Sequence, residues 1–182
     1  MSRQFWNETL TWATANGAAI ANTTTETVLF PNVTIPANFL QDGRTLRLTA
    51  TGKLSNIVTS PGNIAFLLRW GGVAGTILAQ TSSINLNTTA QTDIMFRIVI
   101  EIVTRANGAS GSLMAMGIVD LAFKSVIQPE LMGSAGGSSG NTPAAVTVDL
   151  TADTALALTA KFSVANAGNT ITGMNYLLEA LN

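Results

Sequence analysis

The chain has 182 residues, enough for one domain with a sizeable core, and its net charge of −1 offers no basic excess for nucleic acid. It has no cysteine and no histidine, which excludes disulfides, thiolate chemistry and the commonest general base and metal ligand. Only 10% of the residues are charged and 47% are hydrophobic. This composition favours strands that are rich in hydroxyl side chains and whose surfaces are partly covered by neighbours. No run of about 18 apolar residues predicts a membrane span.

The first 25 residues are polar and contain two tryptophans, Trp6 and Trp12. Neither strand alternation nor helical spacing is sustained there, so we interpret residues 1–25 as an N-terminal arm. The tryptophans either pack back on the same domain or anchor on a neighbouring subunit, since tryptophan is favoured at the centres of interfaces. The remaining residues, 26–182, are assigned to one β domain.

A clean alternation of apolar and polar residues runs from Arg44 to Leu54, which predicts a strand with one solvated face. Short apolar strands at 27–30 and 33–35 precede it, each ended by a proline. The next strand is predicted at 64–70, and shorter ones follow before residue 87.

The longest predicted element is a hairpin from Asp93 to Phe123. Its first arm places Phe96 and a series of isoleucines on one face with charged residues opposite. Asn107 and Gly108 then mark a turn, because both tolerate positive φ. The second arm alternates in the same way, so this stretch identifies the chain as a β protein.

The segment from Pro129 to Pro143 is rich in Gly and Ser and is predicted to be a flexible loop. Alternation returns at 146–150, 154–162 and 170–182. The total of about eight to ten strands without a helix predicts an all-β, antiparallel jelly-roll β-sandwich with an N-terminal arm.

Several strands are apolar on both faces, although a sandwich strand normally alternates apolar with polar residues. Either the arm and loops of the chain or a neighbouring subunit must cover the second face, because large exposed apolar patches are rare on monomers. Self-association is the favoured explanation, and a homotrimer follows by analogy of fold. The predicted interface residues are Trp6, Trp12, Leu67, Val99, Val103, Met114, Met116, Ile118, Tyr176 and Leu178.

No catalytic constellation is evident. Glu101 and Asp120 lie on opposing arms of the hairpin, and paired carboxylates serve glycosidases. The simpler expectation is that Glu101 forms an ion pair with Arg97 or Arg105. The sequence therefore predicts that the protein is not an enzyme.

Other polar and aromatic residues have ordinary structural explanations. Asp149 and Asp153 flank a turn, where aspartate caps backbone groups, although calcium binding is an alternative. Trp12, Trp70 and Tyr176 have the flat rings that stack on sugars, but burial in a core or interface is the more usual role of such residues. No cofactor and no metal are predicted.

Three stretches of the chain share a resemblance to known proteins. They are residues 9–55, residues 67–81 (LLRWGGVAGTILAQT), and residues 142–162 together with the terminal LLEALN. They resemble small virion structural proteins of tailed phages. The resemblance implies an all-β subunit located in the virion, assembled in the host cytoplasm and without catalytic residues.

The resemblance and the apolar second face together favour a capsid cement or decoration protein. Such a protein would bind the major capsid protein on the outer head surface as an oligomer and bridge capsomers. The alternative is a head or tail fibre domain that binds host glycans through the loops Ser60 to Asn63, Asn107 to Gly111 and Gly133 to Asn141. A neck or baseplate subunit is the third possibility.

Overall fold

The computed structural model describes residues 7–123, 126–134 and 143–181. Within these ranges the protein is all-β, and no helix is present that would be long and apolar enough to cross a membrane. The fourteen strands are β1 (Asn7–Trp12), β2 (Ile20–Ala21), β3 (Thr27–Val28), β4 (Val33–Ile35), β5 (Thr45–Asn56), β6 (Asn63–Trp70), β7 (Thr76–Thr81), β8 (Ile84–Asn85), β9 (Gln91–Ala106), β10 (Gly111–Phe123), β11 (Val126–Gly133), β12 (Val146–Val148), β13 (Thr154–Phe162) and β14 (Thr170–Leu181).

All strand pairs are antiparallel, and the main path of the sheet is β1-β14-β5-β9-β10-β11-β7-β6-β13-β3. The short strands β2, β4, β8 and β12 pair off this path. The all-β, antiparallel prediction is confirmed, but the predicted number of strands was too low. Several strands have only two or three residues, too few for an alternation to be recognised.

The sheet curls so that strands far apart on this path enclose one core. Phe66 on β6 lies against Phe96 on β9, with ring centroids 5.6 Å apart. Gly52 on β5 makes room for this contact, because a β-carbon there would lie 2.6 Å from the Phe96 ring. The strands β5, β9 and β10 alternate buried and exposed positions, which places the predicted inward residues in the core.

The predicted hairpin of β9 and β10 is confirmed. Val103 pairs with Met114, and the register continues to Phe96 opposite Leu121. Gly108 has φ +97°, which the turn requires and which side chains rarely adopt.

The N-terminal segment contains two strands that the sequence pattern did not reveal. Strand β1 pairs with β14 as an additional edge strand, and β2 pairs with β14 as well. The register of β1 shifts between Thr9 and Thr11, so Leu10 is an extra residue that interrupts the alternation. The bulge explains why the period of two was not visible.

The prediction of a loop from Pro129 to Pro143 was wrong for its first residues. Strand β11 runs to Gly133 and pairs with β10 along most of its length, but with β7 only at Met132 and Gly133. Pro129 lies opposite Asp120, where no pairing with β7 is formed, so its missing N–H is tolerated. The Gly- and Ser-rich part at 135–142 lies outside the described residues.

A partly buried ion pair fastens the segment before β3 to strands β6 and β13. Arg69 donates from Nε and Nη2 to the two carboxylate oxygens of Glu26, at 2.5 and 2.8 Å, and from Nη1 to the Gly75 carbonyl. The Thr159 hydroxyl donates to the same carboxylate at 2.6 Å. Burial alone would raise the pKa of Glu26, but these hydrogen bonds and the charges of Arg69 and Lys161 lower it below its ordinary value.

Candidate functional site

The carboxylates of the long hairpin form no catalytic pair. Glu101 accepts a hydrogen bond from Arg47 on β5 at 2.9 Å, so the prediction of Arg97 or Arg105 as its partner was wrong. Residues four apart on one strand are separated by about 13 Å, whereas Arg47 lies directly opposite Glu101. Asp120 lies opposite Arg97 and is offset from Glu101 by a similar distance along the strands.

The two aspartates near the turn before β13 cap backbone groups. Asp149 accepts hydrogen bonds from the backbone and hydroxyl of Thr151, which lower the pKa of its carboxyl. Asp153 accepts from the Ala37 backbone N–H at 2.8 Å. No group of three or more metal-ligating side chains occurs among the residues that the structure describes.

An uninterrupted row of residues crosses the outer face, which we define as the side of β1, β14, β5, β9, β10 and β11 that points away from the core. Each strand contributes one residue directly opposite the next, and all but the threonine are apolar. We call it the outer row, and it consists of Trp12, Leu177, Thr49, Val99, Ile118 and Leu131. Its two end residues, Trp12 and Leu131, are each 62% exposed.

Charged residues border the outer row on both sides. Glu179, Arg47 and Glu101 lie opposite one another on one side, and Arg97 lies opposite Asp120 on the other. At about 4.8 Å per strand the outer row is about 24 Å long. The outer face therefore combines an apolar centre with a charged border.

Most of the predicted interface residues lie on this outer face. Trp12 and Met116 are exposed, and the others are half-buried. Trp6 lies outside the described residues. The half-buried members are Val99, Val103, Met114 and Ile118.

Three predicted interface residues are buried within the chain itself. Tyr176 and Leu178 belong to the core, so the prediction that they point outward was wrong. The register of β14 shifts between Gly173 and Asn175, and this bulge exchanges the two faces. Leu67 lies outside the core cluster but is also buried, so it is not available to a partner.

A groove of about 460 Å³ lies between residues 10–18 and residues 30–34, with Tyr176 among its lining residues. Its polar lining side chains are all neutral: Thr11, Thr14, Asn16, Asn32, Thr34 and the Tyr176 hydroxyl. None of its lining residues, all of which belong to the described part of the chain, is charged.

Backbone hydrogen bonds and aromatic packing fix both walls of the groove. Ala13 donates to the Tyr176 carbonyl at 2.8 Å, and Gly17 donates to the Gly173 carbonyl at 2.9 Å. A β-carbon on Gly17 would overlap the Leu29 carbonyl, so only glycine allows this close approach. The ring of Phe30 packs on Tyr176 with centroids 5.0 Å apart.

The hydroxyl of Tyr176 is the unusual polar group of the groove. The residue is only 5% exposed, and burial raises the pKa of its phenol. Among the residues that the structure describes, none forms a hydrogen bond with this hydroxyl. In the described part of the chain, the buried side-chain atoms without a partner are Asn56 Oδ1 and Thr104 Oγ1, and this hydroxyl is not one of them. The hydroxyl is therefore open to the groove, where its donor and acceptor are available.

The loops predicted to bind glycans lie elsewhere. The loop Asn107 to Gly111 is tied to the turn before β5, because Asn107 donates to Asp42 and Gln41. The loop Ser60 to Asn63 contacts Ser163 instead. Most of the loop Gly133 to Asn141 lies outside the described residues.

No protein-family model matches the chain, and no curated protein matches it either. Among solved structures, it is similar to the CBM2 module of the evolved Dit of Lactobacillus casei BL23 phage J-1. The identity is 10%, the TM-score is 0.43, and the match covers 99% of this chain and 98% of that one. A likeness of this degree carries no functional conclusion.

Proposed function

We propose that the chain is a structural protein of a tailed-phage virion, a jelly-roll-type subunit that decorates the capsid as an oligomer. The resemblance of residues 9–55, 67–81 and 142–162 to small virion structural proteins supports the class. The nested pairing of early strands with late ones, β5 with β14 and β6 with β13, supports the jelly-roll type.

The outer row is the observation that carries the proposal. It places five apolar side chains and one threonine, from six neighbouring strands, in one line on the face that points away from the core. A line of apolar side chains on the surface with charged residues on both sides is typical of a protein contact.

The charged border fits the same role. Stable interfaces combine an apolar centre with a polar rim, and the exposed ion pair of Arg47 and Glu101 lies beside the outer row as such a rim would. The proposed oligomer is a trimer, because closed three-fold rings suit jelly-roll subunits by analogy of fold. Its proposed partner on the particle is the major capsid protein.

Light scattering of the purified chain tests the oligomer. The wild-type protein is expected to have a single mass above that of the monomer. Ile118→Asp places a charge within the outer row, between Val99 and Leu131, and should yield monomers, because a carboxylate would be buried without a partner. Val58→Asp introduces the same charge at an exposed apolar residue outside the outer face and should leave the mass unchanged.

Heat treatment of virions tests the decorating role. Particles that lack the protein should lose infectivity at a lower temperature than complete particles, and adding the purified wild-type protein should restore their resistance. Ile118→Asp should not restore it. Equal resistance with and without the protein would contradict a cement role, and a monomeric wild-type chain would contradict the use of the outer row.

A further inference from the structure

We infer that the groove between residues 10–18 and 30–34 binds a short, neutral oligosaccharide. The groove and the outer row share Trp12 but are otherwise different surfaces, and oligosaccharide binding does not depend on a role in the virion. From the sequence, the loops considered for glycan binding were other ones, namely Ser60 to Asn63, Asn107 to Gly111 and Gly133 to Asn141.

The lining of the groove selects a neutral, hydroxyl-rich ligand. Without a charged side chain, the groove offers nothing to balance a phosphate, carboxylate or ammonium group. Asn16 and Asn32 each offer two N–H donors and a carbonyl acceptor, and the threonine hydroxyls both donate and accept. Such a mixture of donors and acceptors matches sugar hydroxyls, which also do both.

Trp12 supplies the aromatic surface at the end of this groove. It is 62% exposed, whereas Trp70 is buried and donates its indole N–H to the Asp149 carbonyl. An indole ring that stays exposed beside a polar groove offers a flat apolar face to the C–H side of a sugar ring. Ligand pockets typically combine such a surface with a few fixed polar groups.

The unpaired hydroxyl of Tyr176 points independently to a ligand. Its donor and acceptor form no hydrogen bond within the described part of the chain, and a sugar hydroxyl in the groove would supply a partner for both. The ring itself is fixed by Phe30, so the hydroxyl would not need to be ordered on binding.

The size and rigidity of the groove suit an oligosaccharide of two or three units. Its volume of about 460 Å³ lies in the range of about 300–1,000 Å³ that is usual for small-molecule sites. The wall of residues 10–18 is held by main-chain hydrogen bonds to β14, and the wall of residues 30–34 by the pairing of β4 with β13, so little ordering would accompany binding.

Saturation-transfer NMR and titration of the full chain test the inference. The probes are the neutral trisaccharides of glucose, galactose and N-acetylglucosamine, with a sialylated trisaccharide as the charged comparison. At least one neutral probe should bind. Tyr176→Phe, which removes only the hydroxyl, should weaken its affinity roughly threefold to tenfold, and Trp12→Ala should weaken it at least about fivefold.

Two controls separate this site from the outer row. Tyr176→Phe keeps the aromatic ring in the core, so its melting temperature and mass in solution should equal those of the wild type. Leu131→Ser changes the far end of the outer row and should leave sugar binding unchanged, even if it alters the oligomer. Because Trp12 belongs to both surfaces, the result for Tyr176→Phe decides.

The inference is overturned if no neutral probe binds at concentrations up to about 10 mM. It is equally overturned if Tyr176→Phe binds as tightly as the wild type, or if the charged trisaccharide binds better than every neutral one. None of these three results would affect the proposed oligomer, which is measured by mass.

Discussion

Replacing Glu26 by Gln should destabilise the protein by about 2 kcal/mol. The side chains of Glu26 and Arg69 are 13% and 16% exposed, so their ion pair lies between surface pairs, worth about 0–1 kcal/mol, and fully buried ones, whose rupture costs about 3–5 kcal/mol. Glutamine keeps the shape of the side chain but leaves the charge of Arg69 unbalanced. It also removes the charged oxygen that accepts the hydrogen bond of the Thr159 hydroxyl.

Urea unfolding followed by tryptophan fluorescence measures this free energy. A cycle with Arg69→Met and the double variant separates the interaction of the two side chains from their individual effects. The matched control is Arg47→Gln, which breaks the exposed pair with Glu101, where the side chains are 41% and 55% exposed. It should cost less than about 0.5 kcal/mol. A cost for Glu26→Gln as small as that of the control would refute the reasoning.

The same residue gives a pH dependence of defined sign. The pKa of Glu26 is lowered in the folded protein from an ordinary value of 4.5, so the folded state binds this proton less readily than the unfolded state. The stabilisation is therefore complete above about pH 4.5 and is lost as the pH falls through the lowered pKa. The difference in unfolding free energy between the wild type and Glu26→Gln should shrink over that range. A constant difference down to pH 3 would contradict the assignment.

Other positions make shorter predictions. Gly52→Ala should destabilise the protein by about 2 kcal/mol or more, because its β-carbon would overlap the Phe96 ring and the backbone of β14. Gly43→Ala should cost only about 1 kcal/mol, because a β-carbon there meets no neighbour and only the φ of +82° is unfavourable. Urea unfolding of the two variants measures both costs, and equal costs would contradict the role given to Gly52. Asn169→Ala should cost about 2 kcal/mol in the same assay, because the side chain of this fully buried residue joins the Ile57 N–H to the Pro61 carbonyl. A loss below about 0.5 kcal/mol would show that water replaces these bonds.

Local patterns in the sequence were sufficient for the long strands and the turn at Gly108. The alternation continues through β5, through β10 from Leu113 onward, and in β9 from Phe96 to Thr104, because these strands have one face in the core and one outside. The bulges in β1 and β14 were not visible, because an extra residue shifts the period without changing composition. Because of the bulge in β14, the alternation in the sequence predicted the wrong face of the sheet for Tyr176.

The candidate sites depend on pairings between distant strands, so local patterns predicted only part of each. The outer row was anticipated at Val99 and Ile118, but Leu177 and Leu131 join it only through the registers of β14 and β11. The partner of Glu101 likewise depends on how β5 meets β9. No periodicity indicated the groove, which forms where the N-terminal segment crosses residues 30–34.

The position of β14 has a consequence for how the chain folds. Among the fourteen strands of the described residues it comes last, yet it lies between β1 and β5 and also pairs with β2. During synthesis, therefore, both N-terminal strands and one edge of β5 have no partner until β14 emerges. A sheet closed by such distant pairing folds slowly, and its open edges are sites for aggregation. Ribosome stalling or truncation before β14 should leave a chain that requires a chaperone, whereas the completed chain shields the edge of β5 itself.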